Sequence, residues 1–486
     1  MGGVCQVCAL SACRVVGQRD SGFRWIVRQR RSSSPWESRC LFSLSPNGGG
    51  TLLDPFGPAH LGELTAIVPV EMVDAVLSDT GATQSRLRRL PSRVVVYLLL
   101  AAPLFADVGY EQVWARLTAG LRGCHWPGSS ALSQARRRVG PRPLRALFEV
   151  LAGDTGGAHR WHGLVVCAID GTTLVVPDSE ANRPCYRHVK GTHGGASYPI
   201  MRVAALVACG TRTLLDVTFG PDSDGEIRYA TQLFRSLRSG MLVLGDRAYD
   251  SQGVYQAIIL GSHADLLIRA SSTRKPALIG RCADGTWLTR IGSVTLRVID
   301  ATIDVYDTNT GILVKTGHYR LLTSLLDPDR YPAADLVELY HQRWEIETTY
   351  LELKSTLLHG RVLRARTPAG VEQELYALLA TYQALRLAIA DAVQPAGIAP
   401  DRASFSIALN TARDRIIHSC NAIENTIISH IAAAILARPL PPRRSRSSPR
   451  VVKRAISKHR AKGPIDRTNH HTQITITTPL TTAHGP

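Results

Sequence analysis

The chain has 486 residues and a formal net charge of +18, from 57 Lys and Arg against 39 Asp and Glu. Hydrophobic residues make up 44% of it, which excludes wholesale disorder, and the apolar run at 94–102 is too short for the ~20 residues that span a bilayer. Ten cysteines are too few for a disulfide framework, and no basic secretion segment follows Met1, so we expect a cytoplasmic protein with no membrane association. The positive net charge indicates a polyanionic partner.

Both ends of the chain differ in composition from its middle. Residues 1–60 combine an Arg-rich segment with Ser, Pro and Gly and sustain no apolar period, which predicts a disordered basic lead. Residues 439–462 are rich in Arg and Lys and contain no acidic residue. We therefore expect a flexible basic tail at 438–486.

Residues 62–152 are predicted to form a helical N-terminal DNA-binding domain. In its second half a helix, a Gly-containing break and a short basic helix at 130–139 suggest a helix-turn-helix. In that interpretation Arg136, Arg137 and Arg138 contact double-stranded DNA. A solvent-exposed helical face with ordinary arginines explains the pattern equally well, so the sequence leaves both interpretations open.

Beyond residue 160 the pattern changes to short buried strands. Apolar runs typical of strands lie at 164–169, 203–209, 214–219, 241–244 and 264–268, with helical periodicity at 226–237 and 254–260. This order of three strands, helix, strand, helix and strand predicts a mixed sheet covered by helices, and hence an α/β (α+β mixed) fold. A β-patterned stretch follows, then a long helix at 336–358 and three amphipathic helices within 370–437.

Two acidic residues, Asp170 and Asp246, directly follow buried strand runs. Because a sheet places the ends of neighbouring strands close together, we predict that these carboxylates converge on a divalent cation. Carboxylate oxygens are the ligands that suit Mg²⁺. An Asp at a strand end also caps turns, and for either residue alone that ordinary role stays open.

The long predicted helix carries a third carboxylate on a cationic face. At ~100° per residue, an arc of about 60° contains Tyr340, Arg343, Glu347 and Lys354. The other acidic residues at its centre, Glu345 and Glu352, fall on the opposite side. A salt-bridged surface helix accounts for Glu347 and Arg343, but not for the Tyr and Lys on the same face. Three carboxylates with neighbouring cations suit two-metal phosphoryl transfer.

The spacing Tyr-x2-Arg-x3-Glu-x6-Lys on this face is similar to the signature of the DDE transposases of the insertion-sequence-four family. The stretch Asp170-Gly171-Thr172, with the later Pro177-Asp178, resembles the first-aspartate region of that family. Residues 245–249 resemble its second-aspartate region, and the basic helical segment before residue 150 resembles its N-terminal domain.

The resemblance implies a ribonuclease-H-like catalytic domain interrupted by a β-rich insertion. We accordingly expect a catalytic domain at 160–365, with the insertion at about 272–327, and a C-terminal helical region at 366–437. Related transposases hold a flipped base with an aromatic residue of this insertion. The only Trp there is Trp287, for which burial in the core is the expected position.

The resemblance also implies roles for individual residues. The catalytic residues and ligands of two Mg²⁺ ions, for which Mn²⁺ is a substitute, would be Asp170, Asp246 and Glu347. The residues that contact DNA near the terminal phosphates would be Tyr340, Arg343 and Lys354.

The function expected from this pattern is that of a transposase. It would cleave the terminal inverted repeats of its own element and join the freed end to target DNA, as a homodimer in a synaptic complex associated with the bacterial nucleoid. Two alternatives stay open: a catalytically inactive protein that binds DNA ends, and a ribonuclease-H-like nuclease. The three intact carboxylates argue against the first, and the basic helical domain and β insertion fit the second less well.

Overall fold

The computed structural model describes residues 15–20, 24–29, 61–86, 88–119, 126–153, 156–188, 198–418, 430–441 and 470–477. Near the start, strands β1 (Val15–Asp20) and β2 (Arg24–Gln29) pair in an antiparallel arrangement. This hairpin differs from the disordered lead predicted for 1–60, because β-branched and aromatic residues favour strands even over short stretches. The rest of that predicted lead lies outside the described residues.

Five helices follow, as predicted for 62–152. They are α1 (Val70–Asp79), α2 (Ser92–Ala101), α3 (Tyr110–Leu117), α4 (Ser129–Val139) and α5 (Arg142–Leu151). Helix α2 is apolar on every side from Val94 onwards, and all of its residues except Arg93 are buried. In the described part of the chain no single helix is long and apolar enough to cross a membrane, although the bent pair 92–105 and 110–117 meets that criterion jointly.

A mixed sheet forms the centre of the molecule. Its first members and their helices are β3 (Arg160–Trp161), β4 (Leu164–Val175), β5 (Ile200–Ala208), β6 (Leu214–Pro221), α6 (Glu226–Leu233), β7 (Met241–Gly245), α7 (Gln252–Gln256) and β8 (Asp265–Arg269). The strand order is β6-β5-β4-β7-β8, in which β4, β5 and β6 are antiparallel and β4, β7 and β8 are parallel. This topology confirms the mixed sheet expected for a ribonuclease-H-like domain.

The β-rich insertion extends this sheet. Its strands are β9 (Gly280–Arg281), β10 (Trp287–Ile291), β11 (Val294–Asp307) and β12 (Leu313–Thr323). The insertion joins the central strands because β12 pairs with β8 at 321–323. Trp287 is buried, as expected for a strand Trp.

The described residues between β12 and residue 441 are mainly helical. Their helices are α8 (Ala333–Tyr340), α9 (Trp344–Leu351), α10 (Pro368–Val393), α11 (Phe405–His418) and α12 (His430–Leu436). Helix α10 is buried along most of its length and packs against α2, α5 and α12, so the N-terminal and C-terminal helices share one hydrophobic core.

Two features in this region differ from the sequence predictions. The long helix predicted at 336–358 is divided: a 3₁₀ turn at 341–343 separates α8 from α9, and a π-helical segment at 352–357 follows α9. Within the predicted flexible tail, β13 (His470–Ile476) pairs with β11. Its alternating Ile474 and Ile476 pack against the core, which stabilises a strand in a basic segment.

Candidate active site

The first two predicted site residues lie side by side at one edge of the sheet. Strands β4 and β7 are parallel and pair in register from Val165 with Met241 to Ala168 with Leu244. Two residues further along the same register, Asp170 is level with Asp246. Because neighbouring strands are ~4.8 Å apart, the register brings these two positions together.

The prediction that the first strand ends at Asp170 is wrong. Strand β4 continues to Val175, and its pairing with β5 includes Asp170 with Ala205 and Gly171 with Ala204. The strand that ends at this level is β7, the other neighbour of β4, whose last residue is Gly245. The Asp170 side chain therefore emerges from the interior of one strand beside the end of another.

Asp170 lies in a constrained environment. Its Oδ1 accepts a hydrogen bond from the Gly171 N–H at 2.8 Å, and its backbone oxygen accepts one from the Tyr350 hydroxyl at 2.6 Å. Burial raises the pKa of the Asp170 carboxyl to about 7, and the nearby Glu226 and Asp246 carboxylates also favour its protonated form. The Gly171 N–H and the Arg343 guanidinium oppose this rise.

Asp246 directly follows β7, as the sequence predicts. It is the N-cap of the 3₁₀ turn at 247–249, and its Oδ1 accepts a hydrogen bond from the Ala248 N–H at 2.8 Å. This capping bond is the ordinary role considered for a strand-end Asp. The carboxylate has a second oxygen besides Oδ1, which leaves it an acceptor for a further ligand.

One cation links the third carboxylate to the first. The guanidinium of Arg343 has Nη2 2.9 Å from Oε1 of Glu347 and Nη1 3.5 Å from Oδ2 of Asp170. Glu347 lies one turn beyond Arg343 along the helix, and its side chain is 37% exposed, so it remains accessible from solvent. Two residues of the predicted helical face, Arg343 and Glu347, therefore lie beside the strand that carries Asp170.

The other two residues of that face have different positions. Tyr340 is buried, and its hydroxyl donates to the backbone oxygen of Gly245 at 3.1 Å, which ties the end of α8 to the end of β7. Burial raises the pKa of Tyr340 to about 12. Lys354 donates to the Thr172 hydroxyl at 3.3 Å, and partial burial lowers the pKa of its ammonium group.

A cavity of about 380 Å³ opens beside Asp246. Its lining residues are Asp246, Arg247, Arg269, Tyr319, Tyr340, His341, Arg343 and Trp344. Trp344 is 56% exposed although it is a large aromatic residue, and the Arg269 guanidinium lies 4.4 Å from the centroid of the Tyr319 ring. Cations and an exposed aromatic ring in one concave surface suit contacts with nucleic-acid phosphates and bases.

Several of these residues were not predicted from the sequence. Arg269 ends β8, the neighbour of β7, so the strand-end rule that identifies Asp246 also applies to it. Trp344 is adjacent in sequence to Arg343. No local signal identifies Glu226, which packs so closely on the Asp170 strand that a Cβ at Gly171 would lie 2.5 Å from the Glu226 Cδ.

The ability of the site to hold a metal ion depends on its carboxylates. In the part of the chain that the structure describes, no three or more His, Cys, Asp and Glu side chains are already arranged as a metal cluster. The donor chemistry still fits a hard divalent cation, because the candidate ligands are all carboxylates and one cationic group already contacts both Asp170 and Glu347. Ligation therefore requires the candidate side chains to rearrange.

The three arginines of α4 are not equivalent. Arg137 is exposed. Arg136 lies over the Tyr110 ring, with its Cζ 3.9 Å from the ring centroid, and Arg138 donates to the Leu90 backbone oxygen at 2.7 Å. Only Arg137 projects from the helix with no such packing role among the contacts described here.

Two family models match this chain. One describes an insertion element 4 transposase N-terminal region and matches residues 58–149, and the other describes a transposase DDE domain and matches residues 161–383.

Individual proteins are also similar to the chain. The Escherichia coli K12 transposase InsG of insertion sequence element IS4 is 30% identical over 410 residues, which cover 79% of this chain and 90% of that protein. The putative transposase InsZ of the same strain is 30% identical over 191 residues, covering 38% of this chain and 63% of that protein. A chain in the cryo-EM structure of a piggyBac transposase synaptic complex with hairpin DNA aligns with a TM-score of 0.42 and 9% identity, covering 80% and 86% of the two chains.

Proposed function

Because the chain belongs to the insertion-sequence-four family of DDE transposases, we propose that it cleaves DNA at the terminal inverted repeats of its own element and transfers the freed end to target DNA. Proteins of this family generally use divalent metal ions and act on DNA. The finer parts of the proposal are two Mg²⁺ ions, a cut-and-paste pathway, a homodimer in a synaptic complex and action within the bacterial nucleoid.

The observation that carries the proposal is an arginine bridge between two carboxylates from distant parts of the chain, Asp170 and Glu347, with Asp246 at the end of the neighbouring strand. Asp170 and Asp246 are level on adjacent parallel strands, and the Arg343 guanidinium joins Asp170 to Glu347. These three residues would hold the metal ions, which when bound activate the attacking oxygen and stabilise the leaving oxygen.

The other residues of the site bind and orient the DNA. Arg343 contacts Asp170 and Glu347 beside the cavity, and its guanidinium has further N–H donors with which it would bind a DNA phosphate. Lys354 supplies a second cation beside the Asp170 strand. Tyr340 acts mainly on the protein, because its hydroxyl holds the end of β7 from which Asp246 projects. In the N-terminal region we propose DNA contacts from α4, with Arg136, Arg137 and Arg138 contributing positive charge.

A cleavage assay tests this proposal. A plasmid bearing the two ends of the element is incubated with the protein and Mg²⁺, and excised linear product and joined product are measured. We expect Asp246→Asn to abolish both products while binding to end DNA persists, and the exposed Asp79→Asn to serve as the matched control with wild-type activity. Full cleavage by Asp246→Asn would reject the assignment, and nicking without strand transfer by the wild-type protein would indicate a nuclease instead.

A further inference from the structure

Four charged side chains are buried directly behind the helix that carries Glu347. They are Arg212, Glu345, Glu352 and Arg386, and none of these side chains is more than 8% exposed. We call this group the buried ion cluster. It contains two basic and two acidic side chains, so their formal charges cancel.

Arg212 is the centre of the buried ion cluster. Its guanidinium donates to both oxygens of Glu345, from Nε at 2.5 Å and from Nη2 at 3.2 Å, and its Nη1 donates to Oε1 of Glu352 at 3.2 Å. The other oxygen of Glu352 accepts from Arg386 and, at 3.1 Å, from the Tyr382 hydroxyl. A single planar guanidinium thus holds two carboxylates of the same helical segment in a fixed geometry.

The helix held in this way is short and is irregular at both ends. Helix α9 has eight residues, preceded by the 3₁₀ turn at 341–343 and followed by the π-helical segment at 352–357. Because 3₁₀ and π turns rotate the chain by angles different from an α turn, continuity with α8 does not determine the direction in which α9 points its side chains. The rotation of α9 must be determined by contacts outside the helix.

The buried ion cluster supplies those contacts at the two ends of α9. Glu345 lies in its first turn and Glu352 directly follows its last residue, seven positions later, so both occupy the same inner face. Glu347 is two residues after Glu345, about 200° around the helix, and therefore lies on the outer face. A rotation that moved Glu347 would break the bonds of Arg212 to both carboxylates.

Arg212 also connects the helix to the strand that carries the other half of the site. It lies in the turn between β5 and β6, at φ 58°, a left-handed conformation that a residue with a side chain rarely adopts. Strand β5 pairs with β4, where Ala205 is opposite Asp170. Asp170 is therefore connected to α9 through the pairing of β4 with β5 and the bond from Arg212 to Glu345. Glu345 is two residues before Glu347 in the sequence.

Stability alone gives no reason for charged groups at these positions, because well-packed apolar residues are often as stabilising as a buried ion network. Ion pairs add a defined orientation, because a planar guanidinium donates hydrogen bonds to carboxylates in only a few geometries. We propose that the buried ion cluster sets the rotation of α9, and that Arg212 and Glu345 are positioning residues that hold Glu347 towards Asp170 and Asp246. This inference rests on the proposed function.

The first test separates geometry from charge. Arg212→Lys retains the cation, but its single ammonium group cannot hold both Glu345 and Glu352 in the bidentate arrangement. We expect binding to end DNA to change less than about twofold, while single-turnover cleavage falls about a hundredfold, the loss typical of a misplacement of about 1 Å. Cleavage by Arg212→Lys at the wild-type rate would overturn the proposal.

The second test separates positioning from stability. Arg212→Met combined with Glu345→Leu removes one cation and one anion, so Glu352 and Arg386 remain balanced in an apolar surrounding. We expect this double variant to unfold at or near the wild-type temperature and still to cleave about a hundredfold more slowly. A double variant with both wild-type stability and wild-type cleavage would show that the buried ion cluster is only structural.

A measurement without catalysis completes the design. Binding of Mn²⁺ to the folded protein raises its unfolding temperature, and this rise depends on the placement of Glu347. We expect the rise to be lost in the double variant and retained in Glu374→Gln, a matched control that alters another buried carboxylate with an Arg partner, Arg364. Retention of the full rise in the double variant would contradict the proposal. If the wild-type protein itself fails to cleave, the proposed function fails, whereas the Mn²⁺ measurement still decides the positioning role.

Discussion

The raised pKa of Asp170 predicts that the metal-free protein loses stability as the pH increases. The folded carboxyl has a pKa of about 7 against its usual 3.8, so between these values the folded state binds a proton that the unfolded state has lost. The unfolding free energy therefore decreases as pH rises through this window, by about 1.4 kcal/mol per pH unit. Between about pH 5 and about pH 8, the loss amounts to about 3 kcal/mol, because it ends once Asp170 is ionised in both states.

Asp170→Asn tests this magnitude, because an amide has nearly the shape of the protonated acid and does not titrate. Urea unfolding in the presence of a chelator is measured for both proteins across the pH range. We expect the wild type to lose about 3 kcal/mol relative to the variant between the two ends of that range. Asp79→Asn, which alters an exposed carboxyl, is expected to follow the wild type. If the wild-type and Asp170→Asn curves remain parallel, burial does not perturb Asp170 and the electrostatic description of the site is wrong.

Three further predictions concern individual contacts. Arg137→Ala is expected to weaken end-DNA binding and to reduce the salt dependence of that binding by about one counterion, whereas Arg136→Ala is expected to lower the unfolding temperature because Arg136 packs over an aromatic ring. Mobility shifts at two salt concentrations measure the first effect, and thermal unfolding measures the second. Equal losses of DNA binding in the two variants would contradict this division. Gly171→Ala is expected to slow cleavage without abolishing it and with little loss of end binding, because the added Cβ would displace the Glu226 side chain, whose Cδ would otherwise lie 2.5 Å away; nicking at the wild-type rate would show that this displacement has no consequence for the site. Trp287→Ala is expected to lower the unfolding free energy by about 3–5 kcal/mol in urea, and a loss below about 1 kcal/mol would contradict its burial.

The parts of the site that depend on local pattern could be predicted from the sequence. The apolar run of β7 ends at Gly245, and the sequence correctly puts Asp246 directly after it. The helical wheel correctly separates Glu347 from Glu345 and Glu352, which the structure shows to be buried. Strand ends and helical faces are encoded within a few residues, so these features require no knowledge of distant contacts.

Two local predictions were overridden by tertiary structure. Asp170-Gly171 is a turn signal, yet β4 continues through it because β5 supplies a pairing partner as far as Val175. The glycine has a different use there, since its missing side chain admits Glu226 against the strand. Apolar periodicity also gives no sign of the 3₁₀ and π turns that divide the long helix, because each alters the register over less than two turns.

Contacts between distant residues had no signal in the sequence. Arg212 and Glu345 are 133 positions apart, and β13 pairs with β11 across more than 160 residues. The local sequence around one partner of such a pair does not indicate which distant residue or strand it contacts. The basic composition of the C-terminal segment predicts a flexible tail, and only the alternating Ile474 and Ile476, which pack against the core, account for the strand found there.

The two faces of α9 explain how so short a helix can present an active-site carboxylate. On the outer face the Arg343 guanidinium lies between Asp170 and Glu347 and attracts both side chains, which reduces the repulsion between the two carboxylates. On the inner face Arg212 binds Glu345. About 60° around the helix from Glu347, the Tyr350 hydroxyl donates to the Asp170 backbone oxygen. Because the turns before and after α9 are irregular, neither helix continuity nor apolar packing alone would determine its rotation, whereas bonds with fixed donor directions on opposite faces do so.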